Sequence, residues 1–205
     1  MRKISIALIL TASLLASSLA VAATAGPIED IVRAFDRGDY AAAYRLTRPL
    51  AEKGMPKAQN ILGYMYQSGQ GVGKDYAEAV KWYSKAADQG DGEGQNNLGV
   101  MYENGQGVWQ DYSEAVKWYA RAAEQGVPRA QNNLGIMYAV GKGVPQDYFS
   151  AYVWFAIAAS RFTDSDREYR EQAVGNRDSA AYNMTLEQVA QAQKQVREWK
   201  PKKER

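Results

Sequence analysis

The stretch Gln95-Asn96-Asn97-Leu98-Gly99 decides the fold, because nearly the same five residues occur three times in the chain. The copies begin at Gln59, Gln95 and Gln131, at a constant interval of 36 residues. The same interval superimposes Tyr66, Tyr102 and Tyr138, the Asp-Tyr pairs that begin at Asp39, Asp75, Asp111 and Asp147, and Trp82, Trp118 and Trp154. A fixed period of this length indicates tandem structural repeats.

Each repeat is interpreted as two helices, here called helix A and helix B. In the second repeat the pattern predicts helix A over about 92–104 and helix B over about 112–125. Asp111 is a natural N-cap of helix B, and together with Glu114 it matches a capping box; Gly126 suits the helix end. The apolar stripe of helix B has helical spacing and consists of Ala115, Trp118, Tyr119 and Ala122.

A glycine lies in the middle of each predicted helix A, at positions 63, 99 and 135. Glycine inside a helix costs about 1 kcal/mol relative to alanine, so its recurrence needs a structural reason. We expect the missing side chain to let helix B approach closely, with small residues such as Ala122 opposite. One helical hairpin cannot bury its own apolar face, so the units must stack. The sequence therefore predicts an all-α, right-handed α-solenoid of antiparallel helix pairs.

The repeated motifs, read along residues 56–161, are Leu-Gly-x-Met-Tyr, Gly-x-Gly-Val, Asp-Tyr, Ala-Val-Lys-Trp-Tyr and Ala-Ala-x-Gln-Gly. This pattern strongly resembles the Sel-one-like repeat, a relative of the tetratricopeptide repeat. The resemblance divides the region into repeats at 56–91, 92–127 and 128–161. Residues 26–55 resemble a degenerate tetratricopeptide-like unit, because their turn at 36–39 lacks the Gly-x-Gly-Val insertion. The resemblance implies a scaffold that binds other proteins.

Residues 162–205 are predicted to cap the solenoid. Helix B of the third repeat is apolar on more sides than its counterparts, as residues 152–157 show, and therefore needs more cover. The pattern predicts one helix over about 164–181. A second helix is predicted from Thr185, which forms a capping-box pattern with Gln188, through about residue 199. The basic tail that follows is expected to be a frayed, solvated end.

Residues 1–25 have the composition of a secretory signal peptide. Arg2 and Lys3 precede an apolar run at 4–20, and small residues follow up to a cleavage site at Ala23 or Ala25. An uncleaved membrane anchor is the alternative interpretation. Cleavage would give a periplasmic or secreted protein without a stable membrane span. It would also leave 23 basic and 23 acidic residues, so we expect no nucleic-acid partner.

The composition argues against catalysis. The chain contains no cysteine and no histidine, and therefore lacks disulfides, thiolate ligands and the commonest general base. The segment 69–74 is similar to a phosphate-binding loop, but the equivalent loops of the other repeats lack its Gly-Lys pair, so it is interpreted as a turn. We therefore predict a protein that is not an enzyme and needs no cofactor.

The predicted binding surface is the concave face that the A helices form in solenoids of this type. The inward positions implied by the tetratricopeptide geometry are Lys57, Asn60, Tyr64 and Gln67 in the first repeat, Glu93, Asn96, Val100 and Glu103 in the second, and Arg129, Asn132, Ile136 and Ala139 in the third. The asparagines at 60, 96 and 132 suit two roles that the sequence does not distinguish. Their amides can pair with the backbone of an extended peptide, or they can tie one repeat to the next.

Trp109 lies in a loop where the other repeats have Gly73 and Pro145, so the repeat does not require an aromatic residue there. It is either incidental or an anchor for a contact on the surface.

Taken together, the sequence predicts an exported scaffold that binds a protein or peptide in the concave groove. The alternative is a repeat protein that binds or hydrolyses cell-wall fragments or β-lactams, as the resemblance implies for some secreted relatives. Those relatives carry cysteine pairs, which this chain lacks. A third hypothesis is a self-assembling module, which exposure of Trp109 or of the apolar third repeat would favour.

Overall fold

The computed structural model describes residues 26–202, so the predicted signal peptide at 1–25 lies outside the described residues. Within this range the chain forms ten α-helices, one short 3₁₀ helix and no strand. The helices are α1 Pro27–Asp36, α2 Tyr40–Glu52, α3 Pro56–Ser68, α4 Tyr76–Asp88, α5 Gly92–Asn104, α6 Tyr112–Gln125, α7 Pro128–Val140, α8 Tyr148–Arg161, α9 Arg167–Tyr182 and α10 Leu186–Glu198. Each helix from α1 to α8 packs against the next, and α9 and α10 both pack on α8, so that the result is the predicted α-solenoid. None of these helices is both long and apolar enough to cross a membrane.

Helices α5 and α6 have the bounds predicted for the second repeat. Asp111 caps α6 by accepting hydrogen bonds from the backbone N–H groups of Ser113 and Glu114. The reciprocal half of the predicted capping box does not form. The Glu114 carboxylate instead pairs with Lys117, because the Asp111 N–H already donates to the Tyr102 carbonyl at 3.0 Å. The first repeat has the same arrangement at its Asp75 cap.

The glycine in each helix A permits the expected close approach of helix B. A Cβ atom added to Gly99 would lie 2.7 Å from the ring of Tyr119, well inside van der Waals contact. The expectation that small residues such as Ala122 lie opposite the glycine was wrong. The facing residue is a large aromatic, and its ring can be fully buried there because helix A has no side chain at this position. The equivalent contacts join Gly63 to Tyr83 and Gly135 to Phe155.

Each unit also packs its core against the next unit. One buried cluster combines α6 with the following α7, through Ala115, Tyr119, Ala122, Ala130, Leu134 and Met137. The Gly-x-Gly-Val loops belong to the same packing. Gly143 has a φ of +73° and lies so close to the Tyr112 carbonyl of the preceding helix B that a Cβ would be 2.3 Å from its oxygen. The glycine-rich loop is therefore a packed turn, as predicted.

The C-terminal cap forms as predicted, with α9 beginning at Arg167 after a short 3₁₀ helix at Asp164–Asp166. The Thr185–Gln188 capping box is present in both directions at the start of α10. Both helices cover the apolar helix α8. The prediction that the tail is frayed fails at Lys202, whose backbone N–H donates to the Glu124 carbonyl at 2.7 Å and whose Nζ lies 3.1 Å from the same residue's carboxylate.

Candidate binding surface along the A helices

Consecutive A helices are joined by hydrogen bonds between asparagine side chains. Asn97 Nδ2 donates to Asn60 Oδ1 at 2.9 Å. In the next repeat Asn133 Nδ2 donates to Asn96 Oδ1 at 3.1 Å. In the cap, Asn176 of α9 continues the series by donating to Asn132 Oδ1 at 3.2 Å. Of the two roles that the sequence left open for Asn60, Asn96 and Asn132, these contacts support the tie between repeats.

A second row of ties involves the glutamine that opens each repeated motif. Its amide nitrogen donates to a carbonyl of the preceding helix B, as Gln95 does to Ala87 at 3.2 Å. In the first two copies its oxygen also accepts a hydrogen bond, as Gln95 does from Gln125 at 2.7 Å, whereas the buried oxygen of Gln131 has no partner among the described residues. Sequence reasoning missed this role, although the presence of the same glutamine in all three copies was a usable signal. Gln59 repeats both contacts.

An apolar cavity lies between the first unit and the first repeat and is called the N-terminal pocket. Its volume is about 310 Å³, and its lining is Ile31, Val32, Phe35, Asn60, Ile61, Tyr64 and Asn97. Val32 and Tyr64 are 47% and 46% exposed, so the apolar surface is open to solvent. Ile61 occupies the position that Asn97 and Asn133 hold in the later repeats. The neighbours of Ile61 on helix α1 are apolar and do not include an asparagine, which explains why this end of the surface is apolar.

A more polar cavity lies between the second repeat, the third repeat and the cap and is called the C-terminal pocket. Its volume is about 370 Å³, and its lining is Asn96, Asn97, Val100, Arg129, Asn132, Asn133, Ile136, Phe162, Tyr169 and Gln172. The Arg129 guanidinium lies 4.7 Å from the centre of the Tyr169 ring, which is a cation–π distance. Tyr169 in turn stacks on Phe162 with 5.9 Å between ring centres. The cap therefore builds one wall of this pocket and holds its arginine.

The two pockets are neighbours, because Asn97 lines both, and the surface that they occupy along the A helices, from α1 to α9, is called the groove. Consecutive A helices also touch along it, α3 with α5 and α7 with α9. The groove includes seven of the predicted partner-binding residues, namely Asn60, Tyr64, Asn96, Val100, Arg129, Asn132 and Ile136. Sequence reasoning missed the walls from α1 and from the cap, because neither segment carries the repeat motif.

Five of the predicted inward residues line neither pocket, namely Lys57, Gln67, Glu93, Glu103 and Ala139. Gln67 and Glu103 have internal partners. The Tyr83 hydroxyl donates to Gln67 at 2.7 Å, and the Tyr119 hydroxyl donates to Glu103 at 2.6 Å. In the third repeat Phe155 replaces the tyrosine and Ala139 replaces the acceptor, so the repeat that lacks the hydroxyl also lacks the acceptor. Gln67 and Glu103 thus support the helix pair from within.

Charges alternate near the starts of the A helices, from Lys57 to Glu93 to Arg129. Burial raises the pKa of the Glu93 carboxyl above its usual value, Arg129 opposes this shift, and Asp91 and Asp166 add to it. Burial also raises the pKa of Asp91, against the opposing effects of its hydrogen bond from Gly94 and of Lys57. The acidic groups of this rim are therefore only partly compensated by the neighbouring cations.

Trp109 projects from the loop of the second repeat and is 94% exposed. Exposure does not distinguish an anchor from an incidental residue, so the role of Trp109 stays a prediction. The other condition for self-assembly is not met, because α9 and α10 cover the apolar helix α8 of the third repeat.

Comparisons with known proteins place this geometry in a family. The sequence profile of the Sel1 repeat matches residues 56–91, 92–127 and 128–161. The structure of a Sel1 repeat protein from Oxalobacter formigenes is similar, with 30% sequence identity, a TM-score of 0.64, and coverage of 78% of this chain and 69% of that one. A search of curated proteins returned no match.

A second similar structure is that of c5321, a protective antigen present in uropathogenic Escherichia coli strains that displays an SLR fold. It has 33% sequence identity and a TM-score of 0.63, and the match covers 81% of this chain. The chain spans 41% of the length of that antigen, so the likeness concerns a part of the larger protein.

Proposed function

The chain belongs to the Sel1 repeat family, and on this basis we propose that it is an exported, non-catalytic scaffold that binds a protein or peptide segment in the groove along its A helices. The Sel1 repeat fold is a type of protein–protein interaction scaffold. The observation that carries the proposal is that the N-terminal and C-terminal pockets lie along the A helices and both have Asn97 in their lining.

The size and shape of the groove favour an extended segment over a compact small molecule. Each pocket alone, at about 310 and 370 Å³, lies at the lower end of the range of small-molecule sites. The alternative, binding of a cell-wall fragment or β-lactam, would be favoured by one deep cavity with converging polar groups. The N-terminal pocket is instead lined mainly by apolar side chains and open on one side.

Export is supported by the composition of residues 1–25, with a basic start, an apolar run and small residues before a cleavage site. N-terminal sequencing of the protein recovered from the periplasm or medium tests this part. We expect the mature chain to begin at residue 24 or 26. Recovery of the chain with Met1 in the cytoplasmic fraction would contradict export.

Site-specific photo-cross-linking in living cells tests the groove. A photoreactive amino acid replaces Tyr64 in the groove or, as a matched control, Lys117, which is exposed on helix B. We expect a discrete cross-linked protein from position 64 and none from position 117. The same product from both positions, or a product from position 117 alone, would show that the groove is not the binding surface.

A further inference from the structure

We propose that the groove selects an extended peptide segment with a large apolar side chain in the N-terminal pocket and the carboxylate of an Asp or Glu side chain on Arg129 in the C-terminal pocket. This inference rests on the proposed function and adds the chemistry of the partner. It follows from the different linings of the two pockets and from the groups in the second pocket that have no internal partner.

Arg129 is the charged residue of the C-terminal pocket, and its guanidinium has no hydrogen-bond or ion-pair partner among residues 26–202. The Tyr169 ring, 4.7 Å away, holds it in place without using its N–H groups. A guanidinium offers a planar fork of donors that matches the two oxygens of a carboxylate. A fixed arginine with unused donors is therefore suited to an incoming carboxylate.

The amide groups of the same pocket also supply donors. Asn132 Oδ1 accepts from Asn176, while the Asn132 Nδ2 group has no acceptor among the described residues. The Gln172 side chain likewise has no hydrogen-bond partner in this part of the chain. The pocket thus combines a cation with spare N–H donors and no carboxylate in its lining. Such a set favours a ligand rich in acceptors.

Glu93 limits how strongly an anion is attracted from a distance. Its carboxylate interacts electrostatically with Arg129 and Asp166 but lies outside the pocket lining. An acidic ligand must therefore reach Arg129 directly, and Glu93 acts against it. The proposal therefore predicts the direction of a change in affinity. Removing the charge of Glu93 should strengthen the binding of an acidic peptide and weaken that of a basic one.

The distance between the pockets sets the spacing of the two peptide side chains. Packed helices lie about 8–10 Å apart, so a ligand that crosses two to three helix spacings from one pocket to the other spans about 16–30 Å. An extended chain advances about 3.3 Å per residue. The apolar and acidic residues of the ligand should therefore be separated by about five to nine positions.

Fluorescence anisotropy with synthetic peptides tests this inference on the purified protein. Amidated peptides of glycine and serine carry a leucine and, about seven positions away, a glutamate, a glutamine or a lysine. We expect the glutamate peptide to bind about tenfold more tightly than the glutamine peptide.

Arg129→Gln should abolish that difference, and Glu93→Gln should strengthen binding of the glutamate peptide. Arg121→Gln is the control, because Arg121 lies 4.7 Å over the Trp118 ring on helix B and should leave binding unchanged.

Three results would overturn the inference. Equal binding of the glutamate and glutamine peptides would exclude recognition of a carboxylate. Tighter binding of the lysine peptide, weakened by Glu93→Gln, would assign the opposite charge to the partner. Absence of binding by every peptide would exclude this ligand class. Each result leaves the cross-linking test at Tyr64 unaffected, so failure of this inference is distinct from failure of the proposed function.

Discussion

Asn97 Nδ2 donates a 2.9 Å hydrogen bond to Asn60 Oδ1 across the junction of two repeats. The bond ties α5 to α3 at the point where the two pockets of the groove meet, since Asn97 lines both. The same side chain accordingly fixes the spacing of the repeats and forms the floor of the proposed binding surface.

Removing this tie should destabilise the stack. Asn97→Ala leaves the Asn60 oxygen without its donor in a partly buried place, which costs about 1–3 kcal/mol of unfolding free energy. Urea unfolding followed by circular dichroism measures the loss. Asn104→Ala, at the exposed end of the same helix, is the control and should cost little. Equal losses in the two variants would show that the hydrogen bond between Asn97 and Asn60 does not stabilise the stack as proposed.

Two glycines in helix interiors should respond to alanine in opposite directions. In Gly99→Ala the new Cβ would lie 2.7 Å from the buried Tyr119 ring, and the resulting overpacking should cost about 1–3 kcal/mol. In Gly175→Ala nothing lies within 4 Å, so the better helix propensity should stabilise the protein by about 0.5–1 kcal/mol. Thermal unfolding compares them. Stabilisation by both substitutions would contradict the close approach of helix B.

The hydrogen bond from Tyr119 to Glu103 should be replaceable by the pair that the third repeat uses. Tyr119→Phe alone should cost about 1–2 kcal/mol, because the carboxylate loses a donor. Adding Glu103→Ala should recover part of that loss, since the third repeat has Phe155 and Ala139 at these two positions. A double-mutant cycle by urea unfolding measures the coupling. Strictly additive effects would indicate that the pair does not interact.

Alkaline pH should destabilise the protein through its buried tyrosines. Burial and, secondarily, the hydrogen bond to Glu103 raise the pKa of Tyr119, and the hydrogen bond between Tyr66 and Tyr44, together with burial, raises the pKa of Tyr66 to about 12. The folded chain therefore retains protons that the unfolded chain releases near pH 10, so stability is complete below pH 10 and falls above it. Unfolding midpoints at pH 8 and pH 11 measure the loss. Tyr119→Phe should reduce it, and an unchanged loss would contradict the assignment.

Trp109 should matter for contacts and not for folding. Its side chain is 94% exposed, so Trp109→Ser should change the unfolding free energy by less than about 0.5 kcal/mol. Trp82→Ser, on a side chain that is 8% exposed, is the contrasting variant and should be strongly destabilising. A large loss of stability in Trp109→Ser would show that the loop contributes to the packed core.

The repeated part of the structure was predictable because each motif appears three times in the sequence. The bounds of α5 and α6, the Asp111 cap and the covering of α8 all follow from local patterns that the structure confirms. The walls of the groove were not predictable in this way. Tyr169 and Phe35 lie in segments without the repeat motif, and their positions depend on how the first unit and the cap pack against their neighbours.

Within a repeat, the residue of helix B that contacts Gly99 was also not predictable from the sequence. The period correctly predicted a close approach at the glycine, but both Ala122 and Tyr119 lie on the apolar stripe of helix B. Which of them faces the glycine depends on the relative rotation of the two helices, which the spacing of apolar residues does not specify. The structure assigns the contact to Tyr119.

The central claim is that a partner occupies the groove, and selective blocking of the groove tests it most directly. Because the chain has no native cysteine, Val100→Cys in the groove and Lys117→Cys on helix B can each be labelled at a single site with a bulky maleimide. The measurement is how much of the partner protein, identified by its cross-link to position 64, each labelled variant still retains. The account predicts that labelling at position 100 abolishes retention and labelling at position 117 does not. Full retention after labelling at position 100 would contradict it.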